Sequence, residues 1–182
     1  MHAHSRHDAV RDDQAAVRAA PAPGESFRDD RDRRIDVEAY GDGPLDGDRE
    51  GLVDMYARFD TADRAQGLPP LDGAARGRWL DQVLSGSNVL AWHRDRAVGH
   101  AALLADGRGS HELVVFVDSP AQGAGVGSAL LGALLRAARD GDVARVRLSV
   151  EPSNRAAVAL YRKFGFEVVA ESPMELEMAR DL

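Results

Sequence analysis

The chain has 182 residues, of which 44% are hydrophobic and 29% charged, with no cysteine and a formal net charge of -7. That length supports one domain with a full core, and the lack of cysteine excludes a disulfide scaffold, a zinc-thiolate site and a cysteine nucleophile together. The acidic excess disfavours nucleic acid as a partner, and no run approaches the roughly 18 apolar residues that suggest a membrane span.

The first residues are charged and carry no apolar core, so no secretory leader is expected and a cytoplasmic location follows by elimination. Lys163 is the only lysine. An acidic, arginine-rich composition fits GC-rich coding and adaptation to high salt equally well.

Residues 1–32 are rich in His, Asp, Arg, Ala and Pro and have almost no large apolar side chains. Such a stretch cannot bury enough surface to offset its ordering entropy, and it reads as a flexible extension. His2, His4 and His7 within it form a short cluster without further ligands, too sparse to imply a metal site.

The folded part is expected to span residues 33–182. Residues 34–40 alternate apolar and polar side chains, as in a half-buried strand. A turn-rich stretch, 42–48, leads to a helix over about 48–59 with Leu52, Val53, Tyr56 and Phe59 on one face. Residues 60–70 make a polar loop closed by Pro69 and Pro70. A second helix over about 72–84 turns Trp79, Leu80, Val83 and Leu84 inward.

Three strand signals follow, at 88–93, 97–105 and 112–118, separated by short turns and so arranged as an antiparallel meander. The run Leu113-Val114-Val115-Phe116-Val117 predicts a central strand buried on both faces. A helix over 126–138 buries Val126, Leu130, Ala133, Leu134 and Ala137. The strand at 143–150 then lies parallel to 112–118, because a helical crossover joins them. Asn154 opens the last helix, 155–164, which carries Ala157, Leu160, Tyr161 and Phe164 on one side and ends at Gly165. Residues 166–170 and 175–179 close the chain as a hairpin.

The stretch Gln122-Gly123-Ala124-Gly125-Val126-Gly127 stands between the central strand and its helix. A glycine turn that opens a helix gathers unpaired N–H groups and the positive end of the helix dipole at one point, which suits an anion. Three readings are open: tight packing alone, a dinucleotide or P-loop phosphate site, and a coenzyme A site. The dinucleotide pattern starts well at Gly123 and Gly125, with Glu151 ending the next strand. It fails at Ser128, which replaces the third glycine, and at the long gap before Gly123. A P-loop fails because no Gly-Lys-Ser/Thr follows.

Gln122-x-x-Gly125-x-Gly127 resembles the Gln/Arg-x-x-Gly-x-Gly/Ala signature of the GNAT superfamily of acetyl-CoA-dependent N-acetyltransferases. Leu148-x-Val150-x-x-x-Asn154-x-x-Ala157-x-x-Leu160-Tyr161-x-x-x-Gly165-Phe166 resembles the second motif of the same family. The resemblance implies an α/β fold with a mixed sheet of about six or seven strands, mostly antiparallel with one splayed parallel pair, flanked by about four helices. It implies acetyl-CoA as cosubstrate, no metal, and direct attack by an amine acceptor of a small molecule or protein. A homodimer is compatible with it, and the competing class is an acyl-CoA sensor without turnover.

The resemblance also implies roles. The backbone of Gly123, Ala124, Gly125, Val126, Gly127 and Ser128, with Gln122 beside it, would take the pyrophosphate. Val115, Phe116 and Val117 would pair with the pantetheine arm, which Asn154 would also contact. Tyr161 would protonate the leaving thiolate. Glu112 is the candidate base, with His100, His111, Glu151 or an ordered water as alternatives; Ser149 stands where some relatives carry a catalytic glutamate. Asp60, Asp63, Arg64 and Gln66, in the loop between the first two helices, are the candidate acceptor contacts.

Overall fold

The computed structural model of the protein describes residues 20–40, 48–59 and 68–182. Among them, eight strands form one sheet: β1 (Ser26–Arg28), β2 (Arg34–Tyr40), β3 (Ser87–His93), β4 (Arg96–Ala105), β5 (His111–Val117), β6 (Arg145–Val150), β7 (Glu167–Glu171) and β8 (Leu176–Asp181). Their order across the sheet is β1-β2-β3-β4-β5-β6-β8-β7. The helices are α1 (Asp48–Ala57), α2 (Gly73–Val83), α3 (Val126–Asp140) and α4 (Arg155–Lys163).

The sheet is antiparallel except between β5 and β6. That exception is required by topology, since α3 carries the chain back before β6 begins. The last two strands form the expected hairpin, and it is β8 that pairs with β6, leaving β7 at the edge.

Two apolar clusters lie on opposite faces of the sheet. Alternation along β5 sends Leu113, Val115 and Val117 towards α3 and α4, and Val114 and Phe116 towards α1 and α2. On the second face Tyr56, Phe59, Trp79 and Phe116 meet edge to face, with ring centroids of 5.1 to 6.1 Å. Helix α3 is buried almost all round, including Leu131 and Leu135 beyond its expected face, because it is covered on its outer side as well.

Part of that cover comes from the stretch read as a flexible extension. Residues 1–19 lie outside the described residues, but 20–32 hold defined positions and raise the strand number above the six or seven expected. Phe27 of β1 packs against the α3 core. Gly132 lets Ala20 sit so close to α3 that an added Cβ would come within 2.1 Å of it. Arg136 donates to the Ala20 carbonyl at 2.7 Å. Composition misleads here because the order comes from distant partners rather than from the segment's own apolar content.

Candidate active site

Strands β5 and β6 are in register only at His111 with Val146 and Glu112 with Arg147. Past these pairs they diverge, while β4 stays paired to β5 through to Val117. One backbone edge of residues 113–117 is therefore without a sheet partner. For the same reason Val114, Val115 and Val117 are only partly buried, not enclosed on both faces as their apolar run predicts. The gap opens into a cavity of about 310 Å³, whose wall includes Val115, Phe116 and Val117.

The glycine loop closes one end of this cavity. A 3-10 turn, Ser119–Ala121, fills the gap that argued against a dinucleotide site. Gly123 and Gly125 follow with φ of +67° and +89°, a region L side chains rarely enter. Gly125 is the N-cap of α3 and has no side chain to cap it. The N–H groups of Gly123 through Ser128 have no hydrogen-bond partner among the described residues. Gln122, Gly123, Gly125, Gly127 and Ser128 line the cavity, whereas the side chains of Ala124 and Val126 are buried inward. The Gln122 amide donates to the Val117 carbonyl at 3.0 Å, so it ties the loop to the strand end.

Helix α4 forms the opposite wall. Asn154 caps it, accepting from the Ala157 N–H at 3.1 Å, and also faces the cavity. Tyr161 is 7% exposed, stands edge-on to Phe166 at 5.8 Å, and lines the same space. Burial raises its phenol to about 12, so it keeps its proton at neutral pH. Ala156, Ala157 and Leu160 complete this wall and were not among the expected contacts. The spacing of Ala157 and Leu160 from Asn154 and Tyr161 along one helix carried the signal for two of them.

The remaining candidates lie elsewhere. Glu112 is exposed, on the part of β5 still paired to β6, and borders two other depressions rather than this cavity. Phe116 stands four positions further on, about 13 Å along a strand. His111 lies beside Glu112 at the start of β5. His100 is fully buried on β4 between Tyr56 and Asn88. Ser149 is exposed on β6, and the Glu151 carboxylate accepts from the Ser153 hydroxyl at 3.3 Å. Asp60, Asp63, Arg64 and Gln66 lie outside the described residues, as do His2, His4 and His7. Among the described residues no group of three or more His, Asp or Glu is placed to hold a metal, and no helix is long and apolar enough to cross a membrane.

Known proteins share this fold. The GNAT domain of PAT from S. lividans superposes with a TM-score of 0.70 over 87% of this chain and 96% of its own, at 19% identity. A GNAT superfamily phosphinothricin acetyltransferase from Sinorhizobium meliloti, solved in complex with AcCoA, gives 0.64 over 80% and 88% at 18% identity. In sequence, 56 residues are 52% identical to a mycothiol acetyltransferase of Saccharomonospora viridis; the match takes in 31% of this chain and 18% of that enzyme's length. A family model described as Acetyltransferase (GNAT) family matches residues 51–166, from α1 through the glycine loop to the end of α4. With loop, splayed strands and Tyr161 helix all inside that match, the chain belongs to the GNAT acetyltransferase family.

Proposed function

We propose that the protein transfers an acetyl group from acetyl-CoA to an amine by direct attack in a ternary complex. The observation that supports this most is the splayed β5–β6 pair: it leaves a strand edge free beside a cavity that ends in unpaired N–H groups and carries Tyr161 in its wall.

The free N–H groups of Gly123 to Ser128 suit the pyrophosphate, because they add to the positive end of the α3 dipole. The open edge of Val115 to Val117 offers backbone partners to the amides of the pantetheine arm, and Asn154 a side-chain amide. Acetyl-CoA supplies the activated thioester. An N–H on the open edge would donate to its carbonyl oxygen, where negative charge grows during attack. Tyr161 would give its proton to the departing sulfur. Glu112 lies about 13 Å along β5 from Phe116 and does not line the cavity, so it serves as base only through ordered water.

Acceptor selection falls to the stretch between α1 and α2, with Asp60 and Asp63 drawing in a cationic amine and Arg64 and Gln66 as further acceptor contacts. The similarity to a mycothiol acetyltransferase favours a small-molecule acceptor over a protein. Incubation with acetyl-CoA and a panel of amines, followed by mass spectrometry, tests the proposal. An acetylated amine is expected. Tight coenzyme A binding with no product from any acceptor would instead assign the domain a sensing role.

A further inference from the structure

The turn between β1 and β2 is built around the carboxylate of Asp29, whose side chain is fully buried. It accepts from the N–H groups of Arg31 and Arg33 at 2.9 and 2.8 Å and from Arg33 Nε at 2.7 Å. These bonds aim both arginines at the glycine loop. Arg33 donates to the Pro120 carbonyl at 3.0 Å, and Arg31 donates to Pro120 at 2.5 Å and to Gln122 at 2.9 Å. The N–H of Asp30 donates to the Ala124 carbonyl at 3.2 Å.

The consequence follows from the trans peptide plane, in which a carbonyl and the next residue's N–H point in opposite directions. Holding the Gln122 carbonyl outward turns the Gly123 N–H inward. Holding the Ala124 carbonyl outward does the same for Gly125. Both glycines line the cavity and neither N–H has a partner. A loop of this glycine content would otherwise sample many peptide orientations. The arginines also place positive charge behind the loop.

We propose that Asp29, Arg31 and Arg33 are positioning residues that orient the phosphate-binding N–H groups of Gly123 and Gly125, and so set the affinity for the pyrophosphate of coenzyme A. This rests on the loop being the pyrophosphate site. A purely structural turn would affect stability but would not distinguish ligands with and without pyrophosphate.

The test compares coenzyme A with pantetheine, which lacks the pyrophosphate, by calorimetric and NMR titration of the full chain. Arg31 is exposed, so Arg31→Ala is expected to fold. It should weaken coenzyme A about tenfold, the scale of one misaligned charge-assisted hydrogen bond, and leave pantetheine unchanged. Arg31→Lys, which retains the charge and one donor, should fall between the two and carries the same comparison if the alanine variant does not fold. Unchanged coenzyme A affinity in a folded variant overturns the proposal, and so does equal weakening of both ligands. Failure of the wild-type chain to bind coenzyme A would overturn the underlying site assignment instead.

Discussion

The Tyr56 hydroxyl donates to Nδ1 of His100 at 2.7 Å, and the rest of the network decides that direction. Asn88 gives its amide N–H groups to the carbonyls of Leu84 and Gly86, so its oxygen faces His100 Nε2 at 2.8 Å. Nε2 must then carry the proton and Nδ1 must accept. His100 is thus a neutral, fully paired imidazole in the core, and burial lowers its pKa to about 3. It has no capacity left to serve as the catalytic base.

This network predicts a pH dependence of stability. Between pH 6.5 and 3 the unfolded chain protonates His100 while the folded chain does not, so the contribution is complete above 6.5 and lost as pH falls. The loss is about 1.4 kcal/mol per pH unit, or about 2 kcal/mol from pH 6.5 to 5. Gln can accept from Tyr56 and donate to Asn88, so His100→Gln should remove this part of the slope in urea unfolding. Equal slopes for the two proteins would show that His100 does not govern it.

Tyr161→Phe keeps the ring that packs against Phe166 and removes only the proton donor. Turnover should fall about 10²-fold or more, with coenzyme A affinity nearly unchanged. Steady-state kinetics with the acceptor found in the amine screen, together with calorimetry, separate the two effects. An unchanged rate would show that the tyrosine only packs.

Glu112→Gln addresses the base. If Glu112 works through water, the variant should lose activity most at low pH, where the amine is fully protonated, and retain coenzyme A affinity. A pH–rate profile identical to that of the wild type assigns the proton to another acceptor.

Gly125→Val should abolish coenzyme A binding. The space around an added Cβ is adequate, since its nearest neighbour would be Phe27 at 4.0 Å. The obstacle is φ of +89°, which costs a β-branched residue about 2 kcal/mol or more and swings the loop N–H groups away. Retained affinity would mean that the loop holds no phosphate.

Asn154 combines a helix cap and a cavity-facing position in one residue, and two substitutions divide them. Asn154→Ala should cost about 1 kcal/mol through loss of the bond to Ala157. Asn154→Asp keeps the cap, so thermal stability should hold while its negative charge weakens coenzyme A binding. If aspartate binds as tightly as asparagine, the residue is a cap alone.

The order of the elements and the glycine loop that closes the cavity were legible in the sequence by itself. Periodicity and turn residues mark each main element because they act locally: Arg34–Tyr40 reads as a strand from alternation, and Asn154 opens α4 by its cap chemistry. The paired motifs around Gly125 and Tyr161 identified the family for the same reason, since each is a short run whose spacing a single turn or helix dictates. Tertiary structure alone decided what depends on distant partners. It ordered residues 20–32, whose composition argues against folding, by seating Ala20 on Gly132 and tying Arg31 and Arg33 to the loop carbonyls. It withdrew His100 from the candidate bases by burying it between Tyr56 and Asn88. The family resemblance implied a splayed pair, and the structure fixes where β5 parts from β6, after Glu112; that divergence, a relation between two strands far apart in the chain, turns a glycine turn into one end of a cavity.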